Sequence, residues 1–241
     1  MLKEFYENRL SWNTRISSIL GMDHSELDQH ILLRNPPLSF REDGKIDIDR
    51  MYPQSMELRT DPSPYYEFYE CLKKTFDLTE IKTFCDVGCA TGHLVQKMLS
   101  HADAKGIEYF AYQKENAKEE VKNRISIFDI RNPILSDEVF DLVSCTEVAE
   151  HVDPKYLDTF LDNIRKITGK YLILTWSDAY PPQDAPPQHV SPLYISDVKK
   201  VMNSWGFTLD QEKTNSFIQE SMGYSNFYHW WRDSLTIWRV V

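Results

Sequence analysis

Residues 82–99 read K-T-F-C-D-V-G-C-A-T-G-H-L-V-Q-K-M-L. An apolar run (Phe84, Cys85, Val87) breaks at Gly88, and apolar residues resume at helical spacing with Leu94, Val95, Met98 and Leu99. That pattern predicts a strand turning sharply into a helix. Gly88 and Gly92 have no Cβ, so the turn can take positive φ and a ligand can lie against bare backbone. The free N–H groups of the new helix then face whatever anion sits in the turn. No Gly-Lys-Ser/Thr follows, which excludes the phosphate loop of a nucleotide hydrolase. Ala90 stands where the dinucleotide fingerprint G-x-G-x-x-G needs a glycine. The distinguishing feature is an acid, Asp86, two positions before the first glycine.

Downstream of this turn, strand-like and helical runs alternate. Strands are expected at 83–87, 104–108, 125–128, 140–145 and 171–176, with helices near 92–100, 113–121 and 156–167. Asp153 is the natural cap of the last helix, with Pro154 in its first turn. Continuous apolar strands alternating with helices mean a parallel doubly wound sheet covered on both faces. The tail adds a helix capped by Ser196 and stopped by Gly206, then two runs, 207–211 and 235–241, joined by a long aromatic connection.

Upstream, residues 1–33 are amphipathic, with Leu2, Phe5, Tyr6, Leu10 and Ile16 at three- and four-residue steps. A lid, a membrane-surface helix and a helix packed on its own domain share that pattern. The missing basic face favours packing over an anionic membrane. Asn35-Pro36-Pro37 ends the region, 38–60 is irregular, and Asp61-Pro62-Ser63-Pro64 opens a helix through Tyr65, Phe68, Leu72 and Phe76. The expected organisation is an N-terminal helical lid or accessory segment over 1–80 and a ligand-binding α/β domain over 81–241.

Composition bounds the function. At 241 residues the chain has room for one α/β core and an accessory segment. The balance of 27 basic against 37 acidic residues gives a net charge of -10, which speaks against binding nucleic acid or an anionic membrane. Four cysteines without a C-x-x-C pair argue against a zinc site or a disulfide framework. Lys3, Glu4, Glu7 and Arg9 interrupt the N-terminus, which is no secretory signal, and no apolar run approaches bilayer-spanning length. A reducing, cytoplasmic compartment is the expectation.

Three acids fall at the carboxyl ends of three successive expected strands, where ligands bind in open α/β sheets: Asp86, Glu108 and Asp129. Glu108 lies about twenty residues past Gly88, the interval at which a carboxylate takes ribose hydroxyls. Asp129, beside apolar Ile130, suits the exocyclic amine of an adenine. With these in place, D-V-G-C-A-T-G resembles motif I, D/E-x-G-x-G-x-G, of the class I S-adenosylmethionine-dependent methyltransferases, Ala90 being the departure. The resemblance covers about 81–241 and implies a Rossmann-like doubly wound seven-stranded sheet with an antiparallel last strand. It implies that Asp86, Gly88, Cys89 and Gly92 surround the methionine moiety. Glu108 would hold the ribose, Tyr109 would lie against the adenine, and Asp129 and Ile130 would read its edge.

After the fourth strand comes F-D-L-V-S-C-T-E-V-A-E-H-V, residues 140–152. If a helical turn begins at Glu147, then Glu147, Glu150 and His151 share one face at i, i+3 and i+4. Two carboxylates and an imidazole there can bind a divalent cation. The segment is similar to one in the ubiquinone-biosynthesis O-methyltransferases and to the E-x-x-E-H of the small-RNA 3′-end 2′-O-methyltransferases. In both families these residues are associated with a metal and a further histidine follows the fifth strand, a place taken here by His189. That assignment requires the Pro-rich segment 181–187 to fold back over the sheet edge. It implies Mg²⁺ or another divalent cation on Glu147, Glu150, His151 and His189. The competing reading is metal-independent, with His151 or His189 as general base.

Among the other histidines, His24, His30 and His101 show no partner pattern, and His93 reads as surface. His229 sits in Y-S-N-F-Y-H-W-W, read either as a wall of an acceptor pocket or as packing, which is favoured because buried aromatics are usually core. The function implied is transfer of the donor's methyl to a hydroxyl of a small-molecule acceptor. One rival is an RNA 2′-O-methyltransferase, opposed by the net charge and the lack of a Lys/Arg-rich run. The other is a non-catalytic partner subunit, opposed by the intact acids at all three strand ends.

Overall fold

The apolar runs pair into one seven-stranded sheet with the order β3-β2-β1-β4-β5-β7-β6. Its strands are β1 (Thr83–Val87), β2 (Asp103–Glu108), β3 (Ile125–Ile127), β4 (Phe140–Thr146), β5 (Thr168–Thr175), β6 (Phe207–Leu209) and β7 (Leu235–Val240). The first five run parallel, and β7 is antiparallel to both β5 and β6. This is the Rossmann-like sheet expected from the sequence. The order reverses between β1 and β4, and at such a switch point an open α/β sheet leaves a crevice beyond the carboxyl ends of its strands.

This computed structural model describes residues 60–152, 154–176, 189, 191 and 193–240. The helix over 1–33, the irregular stretch up to residue 59, Asp153, the segment 181–187, His24 and His30 therefore lie outside the described residues. The described helices are α1 (Ser63–Thr75), α2 (His93–Met98), α3 (Ala111–Glu115), α4 (Glu119–Lys122), α5 (Leu157–Ile167), α6 (Ile195–Ser204), α7 (Gln211–Ser221) and α8 (His229–Ser234). None of them is long and apolar enough to cross a membrane.

Successive strand residues point to opposite faces, and both faces are buried. Phe84, Leu142, Ile173 and Ile237 join one core cluster with residues of α1, α2 and α7. The alternate positions Cys85, Val143, Leu172 and Trp238 are equally buried on the other face. All four cysteines are free and buried, packing as small apolar groups.

Three elements differ from expectation. The helix expected at 113–121 is two short ones, because Lys118 is extended (φ -62°, ψ 144°) and interrupts the helix between them. Ser196 does not cap α6; the helix begins one residue earlier and Tyr194 precedes it without a side-chain cap, while Gly206 (φ +79°) does end that region. The run 207–211 is strand only to Leu209. Asp210 then caps α7, its carboxylate accepting from the Lys213 N–H at 3.0 Å.

Helix α1 was expected within the accessory segment, yet it packs into the sheet domain's own core. Phe68 is 1% exposed. Its ring meets Phe217 at 4.9 Å, Trp231 at 5.5 Å and, stacked, Phe227 at 6.0 Å. The aromatic connection before β7 thus does serve packing, through Phe227 and Trp231, while His229 is exposed. Phe68→Ala is expected to cost about 3–5 kcal/mol, as for other buried aromatics. Urea unfolding measures this, and an unchanged midpoint would mean that α1 is detachable from the core.

Candidate active site

The site starts where β1 ends. Gly88 (φ +76°), Ala90 (φ +49°) and Gly92 (φ +79°) all take the left-handed conformation, so the chain leaves β1 and enters α2 within a few residues. The N–H groups of Gly88 and Cys89 donate to the Ile107 carbonyl of β2 at 2.8 and 3.2 Å. A Cβ on Gly88 would stand 2.3 Å from Val148 Cγ2, so the space beside this glycine belongs to the chain itself. A Cβ on Gly106 would stand 2.4 Å from Cys89 Sγ. That glycine of β2, which carries no sequence signal, lets the turn rest on the neighbouring strand.

Asp86 and Ser144 are register partners across β1 and β4, at the switch point. Ser144 Oγ donates to Asp86 Oδ1 at 2.5 Å, with the two residues 3% and 0% exposed. Burial pushes the Asp86 carboxyl up to about 7; the Ser144 hydrogen bond opposes the rise and the charge of Glu108 adds to it. Glu108, also buried, accepts from the Ala90 N–H through Oε2 and from the Phe110 N–H through Oε1, both at 2.8 Å. Burial raises its pKa as well, against the pull of those backbone donors.

Asp129 lies on the loop after β3 and is bound by a residue the sequence reading passed over. Arg131 Nε and Nη2 donate to its two oxygens, each at 2.8 Å. Tyr109 is half-buried beside the same guanidinium, and Ile130 is buried. Asp86 and Glu108 thus stand at the ends of β1 and β2, and Asp129 stands two residues past the end of β3.

The fourth strand end differs from expectation. No helical turn begins at Glu147: this residue has φ +56°, and the turn that follows is a 3₁₀ turn over Ala149–His151. Glu147 closes a ring with Thr175 of β5, its N–H donating to Thr175 Oγ1 and that hydroxyl donating to Glu147 Oε1, each at 2.8 Å. The left-handed backbone turns this carboxylate to β5 and away from a shared face with Glu150 and His151.

Glu150, His151 and His189 do come together, with one ligand atom from each within 4.8 Å of the others. Ser191 anchors the returning chain. Its N–H donates to the Glu150 carbonyl (2.9 Å), its hydroxyl to the Val152 carbonyl (2.5 Å), and its own carbonyl accepts from the Trp176 indole (2.8 Å). The His151 and His189 rings meet edge to face at 4.9 Å, and His151 Nε2 is 3.9 Å from Glu150 Oε1. Glu150 is fully buried, and burial lowers the His189 pKa to about 4. Two other histidines differ from the sequence reading. His93 is buried against the Tyr65 ring at 5.5 Å, and His101 Nε2 pairs with the Tyr69 hydroxyl at 2.6 Å.

Residues 85–171 match the family model described as a methyltransferase domain. No curated protein matches the chain. Among solved structures it is similar to the magnesium protoporphyrin IX methyltransferase of Synechocystis PCC 6803, with S-adenosylhomocysteine bound (TM-score 0.52, 14% identity, 75% of this chain and 83% of that one). It is also similar to the N-methyltransferase NodS of Bradyrhizobium japonicum WM9, in complex with S-adenosylhomocysteine (TM-score 0.52, 19%, 80% and 95%). A third is the O-methyltransferase of a polyketide multienzyme from Brevibacillus brevis (TM-score 0.51, 15%, 72% and 70%). At these identities the likeness is one of fold.

The raised Asp86 pKa, about 7 against an ordinary 3.8, carries a signed prediction. Between those values the folded chain holds a proton that the unfolded chain has released. Stability from this group is therefore full at low pH and lost as pH rises toward 7, by up to roughly 4 kcal/mol. Asp86→Asn removes that loss. Its thermal midpoint should exceed wild type at pH 8, with the advantage shrinking toward pH 5. A difference constant with pH would contradict this.

Proposed function

We propose that this chain, a class I S-adenosylmethionine-dependent methyltransferase, moves the donor's sulfonium methyl to a hydroxyl of a small-molecule acceptor. The observation that carries the reading is convergence. Asp86, Glu108 and Asp129 stand at the ends of β1, β2 and beyond β3, and Glu150 and His151, after β4, meet His189, after β5. The methionine moiety would lie against Asp86, Cys89, Gly92 and the face of Gly88 that Val148 does not cover. Glu108, held by the backbone N–H groups of Ala90, Phe110 and Tyr109, would accept from a ribose hydroxyl. Tyr109, Asp129 and Ile130 form the adenine side. The protein's main task is to hold acceptor oxygen, methyl and sulfur in line.

The acceptor hydroxyl must lose its proton as it attacks. His189, with its pKa lowered to about 4, is a weak base at neutral pH but keeps a lone pair free for a cation. His151 is the residue placed to take the proton, and the buried Glu150 carboxylate 3.9 Å from its Nε2 stabilises an imidazolium as it forms. The trio also fits a divalent cation, which would supply Lewis acidity to the acceptor oxygen. One carboxylate and two imidazoles suit Zn²⁺ better than Mg²⁺, a shift in preference that follows from Glu147 facing Thr175.

Two measurements test this. Incubation with S-adenosylmethionine and pooled metabolites, followed by mass spectrometry, should find a gain of one CH₂ on a hydroxylated compound. A gain confined to amines or to added RNA would overturn the acceptor class. For the metal, titration should show wild type taking up Zn²⁺ and His189→Ala failing to, with S-adenosylhomocysteine affinity equal in both. No uptake by wild type would remove the cation and leave His151 as the base.

A further inference from the structure

Asp129, expected to read adenine, is one half of a built unit. Arg131 is only 8% exposed although it is an arginine on a loop. Its Nε donates to Oδ1 and its Nη2 to Oδ2, each at 2.8 Å, and its backbone N–H donates to Oδ1 at 3.0 Å. The guanidinium carbon lies 5.3 Å from the Tyr109 ring centre and 5.6 Å from that of Tyr156. Behind the loop stands Asn163 of α5, fully buried. Its amide donates to the Ile130 and Asn132 carbonyls at 2.8 and 2.7 Å, and its Oδ1 accepts from the Ile134 N–H at 2.8 Å. Three hydrogen bonds from Arg131 thus hold the Asp129 carboxylate in one orientation.

We propose that Arg131 is the positioning residue that sets the base specificity of the donor site, holding Asp129 as a fixed acceptor for the adenine amine; this rests on the donor reading above. An ionised carboxylate accepts and does not donate, and it offers about four lone-pair positions. Two on Oδ1 and one on Oδ2 are filled within the chain. The open position, on Oδ2, takes one N–H. Adenine presents an amine there, whereas hypoxanthine presents a carbonyl, which sets acceptor against acceptor. A lysine cannot reproduce the arrangement, because a single ammonium does not span both oxygens as the planar fork does.

The test uses the full chain and two probes, S-adenosylhomocysteine and S-inosylhomocysteine, with affinities measured by calorimetry. Wild type should prefer the adenosyl probe by about a hundredfold, the cost of leaving one buried polar group unpaired. Arg131→Gln and Arg131→Lys should each lower that ratio about tenfold, the size of one strong hydrogen bond mispositioned. If Arg131→Gln does not fold, Arg131→Lys, which keeps charge and bulk, gives the same reading. Asp129→Asn, whose amide can donate to hypoxanthine, should bring the ratio near unity. Arg131 variants that weaken both probes equally would overturn the proposal, with the adenine reading still standing on Asp129→Asn. An unchanged ratio in Asp129→Asn would overturn both, and a wild type that binds neither probe would overturn the donor site itself.

Discussion

One buried carboxylate knits the two loops that shape the site. Glu108 ends β2, and its two oxygens take N–H groups from Ala90, in the turn after β1, and from Phe110, in the turn after β2. Burying a carboxylate costs several kcal/mol unless its oxygens are satisfied, so both loops must present those donors for the sheet to close. Ala90 meets the requirement in a left-handed conformation unusual for a residue with a Cβ. The same turn relies on a missing side chain, since Cys89 occupies the place a Cβ at Gly106 would take. The geometry of the site proposed for the donor follows from these contacts.

The acids at the strand ends are alike in sequence and different in state. Asp86 and Glu108 are both buried, the charge of Glu108 adds to the proton affinity of Asp86, and what offsets their burial within the chain is neutral: one hydroxyl and backbone N–H groups. Such a pair is unfavourable as two charges, and the proposed donor, carrying an ammonium and a sulfonium, would relieve it. Asp129 is already neutralised by Arg131. The site thus holds electrostatic stress where the charged end of the donor would sit, and a satisfied, rigid pair where a neutral base would sit.

Five parallel strands are legible because each is an apolar run bounded by turn residues, and the spacing of acids to strand ends survives in one dimension. Contacts set by register are not. Ser144 meets Asp86 only because β4 lies beside β1 in one alignment, and residues 58 apart carry no mark of it. Helical spacing at Glu147, Glu150 and His151 predicts a shared face, but it is blind to the sign of φ, and φ +56° at Glu147 undoes it. Helix α7 escapes notice because its sequence, Q-E-K-T-N-S-F-I-Q-E-S, is nearly all polar and buries only Thr214, Phe217 and Ser221. Arg131 reads as a loop cation until its fork and its two tyrosines are seen together.

Glu108 is the residue around which the proposed donor site is built. Titrating S-adenosylhomocysteine into wild type and Glu108→Gln tests this directly, because the glutamine amide sets a donor against the Ala90 or Phe110 N–H and removes a charged acceptor. Wild type should bind, and the variant should bind more weakly by roughly 1–3 kcal/mol. Equal affinity in the two proteins, or no binding by wild type, would contradict it.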